Sequence, residues 1–189
     1  MQKNLSVSLG QASSKGRKKI NQDFYDARIP REPQLTHKGI AVALADGISS
    51  STVPQDASKI AVSSFLSDYF STPETWSVKK SALRVLAASN SWLYTQSKSS
   101  QYHYDMNRGY VCTFSAVVIR SSTAHIFYLG DTRIYRLRGK AITQLSEDHR
   151  LRVSEEKSYL SRALGMDKQM HSDHESFAVE EGDIFLLMT

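Results

Sequence analysis

Sulfur chemistry is nearly absent from this 189-residue sequence: Cys112 is its one cysteine. A single thiol forms no intrachain disulfide and builds no Cys-rich zinc site. No apolar run approaches the roughly 20 residues of a membrane-spanning helix, and the N-terminus has no apolar stretch of signal-peptide length. No P-loop or dinucleotide glycine pattern occurs. Excess basic charge is also missing, except in one place. The net charge is +5, but residues 1–20 hold Lys3, Lys15, Arg17, Lys18 and Lys19 and no acid. The remaining 169 residues carry 19 bases and 19 acids. A nucleic-acid-coating protein spreads its positive charge over a face, so nucleic acid is not an expected partner. A local anion site near residues 15–19 is the better reading. With 40% apolar residues the chain has enough for one core, and a single domain over 1–189 in the cytoplasm is expected.

What is present reads as α+β. Gly39–Ala45 is a short apolar run closed by Asp46-Gly47, the pattern of a buried strand. Residues 29–38, with two of the four prolines, read as a loop. A helix is expected over 54–70, with Pro54 in its first turn and Ala57, Ile60, Ala61, Phe65, Leu66 and Tyr69 on its core face. A second is expected over 77–97, capped by Ser77 and carrying Ala82, Val85, Leu86 and Leu93. From Thr113 onward, β-rich runs at 113–120, 123–129, 133–138 and 141–145 alternate with short turns. A short helix near 159–164 and strands at 175–179 and 183–188 complete the reading. The segment from Met170 to Glu175 reads as a polar surface loop, and Cys112 as a small buried hydrophobe.

Three places could carry chemistry. Arg17, Lys18 and Lys19 precede Asn21-Gln22-Asp23, placing a cationic anion-binder beside oxygen ligands. Asp46-Gly47 ends a buried strand, where a carboxylate can project from the sheet rim. Asp131 follows Gly130 at another strand end. Taken singly, each reads more simply as a solvated loop or a plain turn. Taken together, without a competing Cys or His set, they suggest a hard cation such as Mg²⁺ or Mn²⁺.

The order of motifs resembles the metal-dependent Ser/Thr protein phosphatases of type 2C, in their bacterial branch. Lys18–Asp23 is similar to R-x-x-N-[EQ]-D, and Ala45-Asp46-Gly47 to A-D-G. Gly130-Asp131-Thr132-Arg133-Ile134-Tyr135 is similar to G-D-[ST]-R-x-Y, and Leu145–His149 to L-[ST]-x-D-H. Ser161–Gly165 is similar to [ST]-R-A-[LI]-G, and Gly182–Thr189 to the strand leading into [ST]-D-G. The resemblance implies two antiparallel sheets packed as a sandwich and flanked by helices, in α-β-β-α layers. It implies two Mn²⁺ or Mg²⁺ ions, bridged by Asp46, with the Gly47 carbonyl as a ligand. Gln22 and Asp23 fall on the first-motif acidic pair, Asp23 holding a metal-bound water. Asp131 matches the ligand of a third, weaker ion. Lys18, with Arg17 one residue off register, falls on the phosphate-binding base. Phosphorylated proteins are the implied substrates, and a fused or cognate Ser/Thr kinase an implied partner.

Five departures bear on that expectation. Gln22 lacks the charge of the commoner Glu, and Lys18 loses the bidentate geometry of Arg. Ile48-Ser49-Ser50-Ser51 replaces a Gly-rich continuation, and the stretch between His149 and Ser161 leaves room only for a trimmed flap. The sequence ends before the [ST]-D-G and D-N aspartates, so a truncated domain with little activity of its own is expected. The alternative is a catalytically impaired phosphatase-like module that binds or regulates a phosphorylated partner or a kinase.

Overall fold

The computed structural model describes residues 5–152, 154 and 158–189. Its larger sheet has five antiparallel strands in the order β1 (Asp23–Arg28), β2 (Ile40–Asp46), β3 (Phe114–Arg120), β4 (Thr123–Leu129) and β9 (Asp173–Ala178). A smaller sheet runs β10 (Ile184–Met188), β5 (Arg133–Arg138), β6 (Ala141–Gln144). β7 (Arg150–Arg152) and β8 (Ser158–Leu160) pair as a hairpin. The helices are α1 (Gln34–Lys38), α2 (Pro54–Ser71) and α3 (Val78–Lys98).

Strand alternation divides the core in two. Ala41, Ala43 and Ala45 of β2, with Phe114, Ala116 and Val118 of β3, share one cluster with the apolar faces of α2 and α3. The small β2 alanines let Ala57 and Ala61 of α2 pack closely on the sheet. Phe65 anchors this layer, stacked on Tyr69 at 5.8 Å and edge-on to Phe114 at 5.1 Å. The opposite face supplies Val117, Ala124, Ile126 and Tyr128, which meet Ile134, Phe185 and Leu187 of the smaller sheet. Two sheets face to face with helices outside is the expected α+β sandwich. Among the described residues, helices cover the larger sheet only.

Both long helices form where periodicity places them, and the Ser77 hydroxyl accepts the Lys80 amide at 3.2 Å as the cap of α3. Elsewhere the structure departs from the sequence expectation. Residues 34–38 are a helical turn within the expected loop. β1 forms where the sequence pattern offers no strand signal. The expected helix near 159–164 does not form: residues 158–160 belong to β8. Leu164 is drawn onto Cys112 by two reciprocal backbone bonds of 3.2 and 2.8 Å, which a helix there would forfeit. β9 begins at Asp173, within the expected polar loop. Cys112 is fully buried, and burial, with the charge of Asp46, pushes its thiol far above its ordinary value.

Candidate metal and phosphate site

The site grows from the β1–β2 pairing. Asp23 stands directly opposite Asp46, the first residue of one strand against the last of the other. Directly opposed residues put their side chains on one face. Burial raises the Asp46 carboxyl to about 7, helped by a hydrogen bond with Asp23 and by the negative charges of Asp23 and Asp131. Lys18 pulls the other way, its Nζ lying 3.8 Å from Asp46 Oδ1. Asp46 Oδ1 is buried without a hydrogen bond. The backbone below it is fixed by Thr113, which donates its amide to the Asp46 carbonyl at 2.8 Å and accepts the Asp46 amide on Oγ1 at 3.0 Å. Sequence reasoning missed Thr113, since nothing in a β-rich run marks which hydroxyl will face a neighbouring strand.

Gly47 and Gln22 are held by packing. The Gly47 amide donates to the Gln22 carbonyl at 3.0 Å, and the Ser58 hydroxyl of α2 donates to the same oxygen at 2.8 Å. A Cβ on Gly47 would run into the Pro54 carbonyl at the start of α2. The glycine therefore lets the helix close on the strand end beside Asp46. The Gln22 side chain is nearly buried, with Oε1 3.5 Å from the Ser49 hydroxyl.

Asp131 sits in a braced turn. Gly130 has φ of +109°, and a Cβ there would meet Thr113 Cγ2 at 2.6 Å, so glycine is required twice over. The Gly130 amide donates to His149 Nδ1 at 3.1 Å, and the His149 amide returns a bond to the Gly130 carbonyl at 2.9 Å. His149 is 7% exposed, and its Nε2 is 2.8 Å from Asp173 Oδ2. Asp131 is itself ion-paired, with Oδ2 2.9 Å from Arg150 Nε. The histidine was legible as part of a motif, but its bracing role and the Arg150 pair were not. Arg17 is exposed and forms no hydrogen bond or ion pair with this cluster, whereas Lys18 reaches it.

Asp23, Asp46, Asp131 and Lys18 thus come together electrostatically. An unsatisfied buried carboxylate oxygen beside a second carboxylate is a donor set suited to a hard divalent cation. Among the described residues, no group of three or more His, Cys, Asp or Glu side chains could hold an ion. The fit is therefore to one open side of a metal site, formed by Asp46 and Asp23.

Compared with known families, the sequence matches Protein phosphatase 2C over residues 11–189. The chain belongs to the protein phosphatase 2C family. That family consists of protein-serine/threonine phosphatases, and the α+β fold agrees with it. Among solved structures, the S. agalactiae serine/threonine phosphatase is similar at a TM-score of 0.73 and 22% identity, over 90% of this chain and 74% of that one. PppA, a regulatory component of the T6SS in Pseudomonas aeruginosa, is similar at 0.67 and 21%, over 90% and 70%. The Mycobacterium tuberculosis serine/threonine phosphatase PstP/Ppp is similar at 0.69 and 19%, over 90% and 72%. At these identities the structural likeness establishes the fold. Among curated proteins, no match is found. Among the described residues no helix is long and apolar enough to cross a membrane.

Proposed function

We propose that this member of the 2C family hydrolyses phosphoserine and phosphothreonine in proteins, using Mn²⁺ or Mg²⁺ held on the Asp46 side of the site. The observation that carries this reading is the Asp46–Asp23 pair, with its buried, hydrogen-bond-free oxygen and Lys18 3.8 Å away. Asp46 would bridge two ions, with the Gly47 carbonyl and Gln22 as further ligands. Asp23 would orient a water, and Asp131 would serve a third, weaker ion. Bound divalent ions supply Lewis acidity, activating a water at neutral pH and neutralising charge on the phosphoryl group.

The chain's own residues do the rest. Thr113 and the Gln22 carbonyl hold Asp46 and Gly47 rigidly, so the carboxylate needs little reorganisation. Lys18 is half-exposed and can turn from Asp46 towards an incoming phosphate as a point charge, and Arg17 adds to the attracting field. A phosphorylated protein is the matching substrate, a fused or cognate kinase a matching partner, and the cytoplasm the matching compartment. One domain over 1–189 accounts for the continuous family match.

A second reading is an impaired module that binds phosphorylated partners without turning them over. It is favoured by the uncharged Gln22 and by the absence, among described residues, of a three-ligand group. Calorimetric titration with Mn²⁺ separates the two. Hydrolysis requires binding that Asp46→Asn abolishes. It also requires that whatever aryl phosphate turnover the chain shows with Mn²⁺ falls about a hundredfold or more in that variant. No Mn²⁺ binding at millimolar concentration, or turnover indifferent to Asp46→Asn, would leave the module reading standing.

A further inference from the structure

We propose that Arg150 is a built-in competitor of divalent cations at Asp131, so that an ion gains Asp131 only by displacing this guanidinium. The inference rests on the reading that Asp131 belongs to the cation side of the site. Arg150 Nε lies 2.9 Å from Asp131 Oδ2, and its Nη1 donates to the Ser158 hydroxyl at 2.7 Å. Arg150 opens β7 and Ser158 opens β8, so one side chain ties both strands of the hairpin to the carboxylate.

Among the described residues, Arg133, Arg162 and Lys18 are committed elsewhere. Arg133 makes a bidentate pair with Asp148, at 2.9 and 2.6 Å. Arg162 is paired with Asp173, and Lys18 with Asp46. Asp131 therefore takes its counter-charge from Arg150. That counter-charge matters beyond the pair, because the Asp131 charge reaches Asp46.

The pair is displaceable. The Arg150 and Asp131 side chains are 45% and 26% exposed, and ion pairs so open to water hold weakly. A divalent ion approaching the same carboxylate would meet this positive charge a few ångströms away. Removing the guanidinium lifts both the competition and the repulsion, a change of roughly tenfold in affinity. Cation binding and hairpin tethering are then alternative states of one carboxylate.

The test is Mn²⁺ titration of the full chain, followed by calorimetry and by the electron paramagnetic resonance signal of free Mn²⁺. Arg150→Gln should bind Mn²⁺ about tenfold more tightly at one site than the wild type. Arg150→Lys, which keeps the charge, should stay near the wild type. Asp131→Asn in the Arg150→Gln background should erase the gain. Thermal unfolding of each variant establishes that it is folded. No gain in Arg150→Gln, or a gain that persists with Asp131→Asn, overturns the proposal. A gain that survives Asp46→Asn upholds it even where the role given to Asp46 fails, so the two readings fall separately.

Discussion

Gly47→Ala isolates the contact that brings α2 against the strand carrying Asp46. The Gly47 φ lies outside the left-handed region, so alanine meets no backbone penalty there and the effect is steric. Its Cβ would overlap the Pro54 carbonyl and approach Pro54 Cβ to 2.5 Å. These atoms belong to the first turn of an 18-residue helix, so no flexible side chain can swing aside. The helix start must move, stretching the 2.8 Å Ser58–Gln22 bond and disturbing the buried packing of Ala57 and Ala61. Overpacking of this kind costs about 1–3 kcal/mol, and loss of the buried hydrogen bond about 1 more. A total near 2–4 kcal/mol is a large share of a domain's stability. Equilibrium urea unfolding measures it. Gly10→Ala is the control, since nothing lies within 4 Å of a Cβ there, and it should stay within about 0.5 kcal/mol of the wild type. Because Asp46 is adjacent, Gly47→Ala should also weaken Mn²⁺ binding. A Gly47→Ala protein as stable as Gly10→Ala would refute the reasoning.

Two further outcomes are expected. Phe65→Ala removes a fully buried ring with two aromatic neighbours and should cost about 3–5 kcal/mol in urea unfolding, while Phe65→Leu should cost well under half of that. His174 Nε2 lies 3.2 Å from His125 Nδ1, and burial, then the charges of His125 and Lys79, hold His174 down to about 4 from 6.5. The unfolded chain then binds the extra proton, so this contribution to stability is complete above about pH 6.5 and is lost as pH falls towards 4. Screening at this partly exposed position limits the loss to about 1–2 kcal/mol. His174→Gln should flatten that part of the stability–pH curve, and a curve parallel to the wild type would count against the pair.

Legibility in the sequence followed the range of the interactions. α2 and α3 were readable because their stripes are local and tertiary packing agrees with them. The strands from Phe114 to Gln144 were readable because short turns separate them. β1 was not: Asp23–Arg28 has no apolar alternation of its own, and its burial is partial along the strand. It exists because β2 offers it six paired positions. The helix expected near 159–164 failed for the converse reason. Its local propensity was outweighed by the bridge between Leu164 and Cys112, a contact 52 residues away that no local pattern reports.

The site divides along the same line. Lys18, Asp23, Asp46 and Asp131 could be named from motifs, since each stands beside a turn signal or a base cluster. What could not be read is how they are bound to one another. Asp23 and Asp46 meet through the register of β1 on β2, and the Asp46 backbone is fixed by Thr113 from before β3. Asp131 is aimed through Gly130 by His149, and His149 is in turn held by Asp173 at the start of β9. Each of those partners comes from a different strand end. A substitution at Asp173 therefore acts on Asp131 without touching it, because it frees the His149 ring on which the Gly130 amide rests. The chemistry-bearing carboxylates are local signals, and their geometry is a property of the whole sheet.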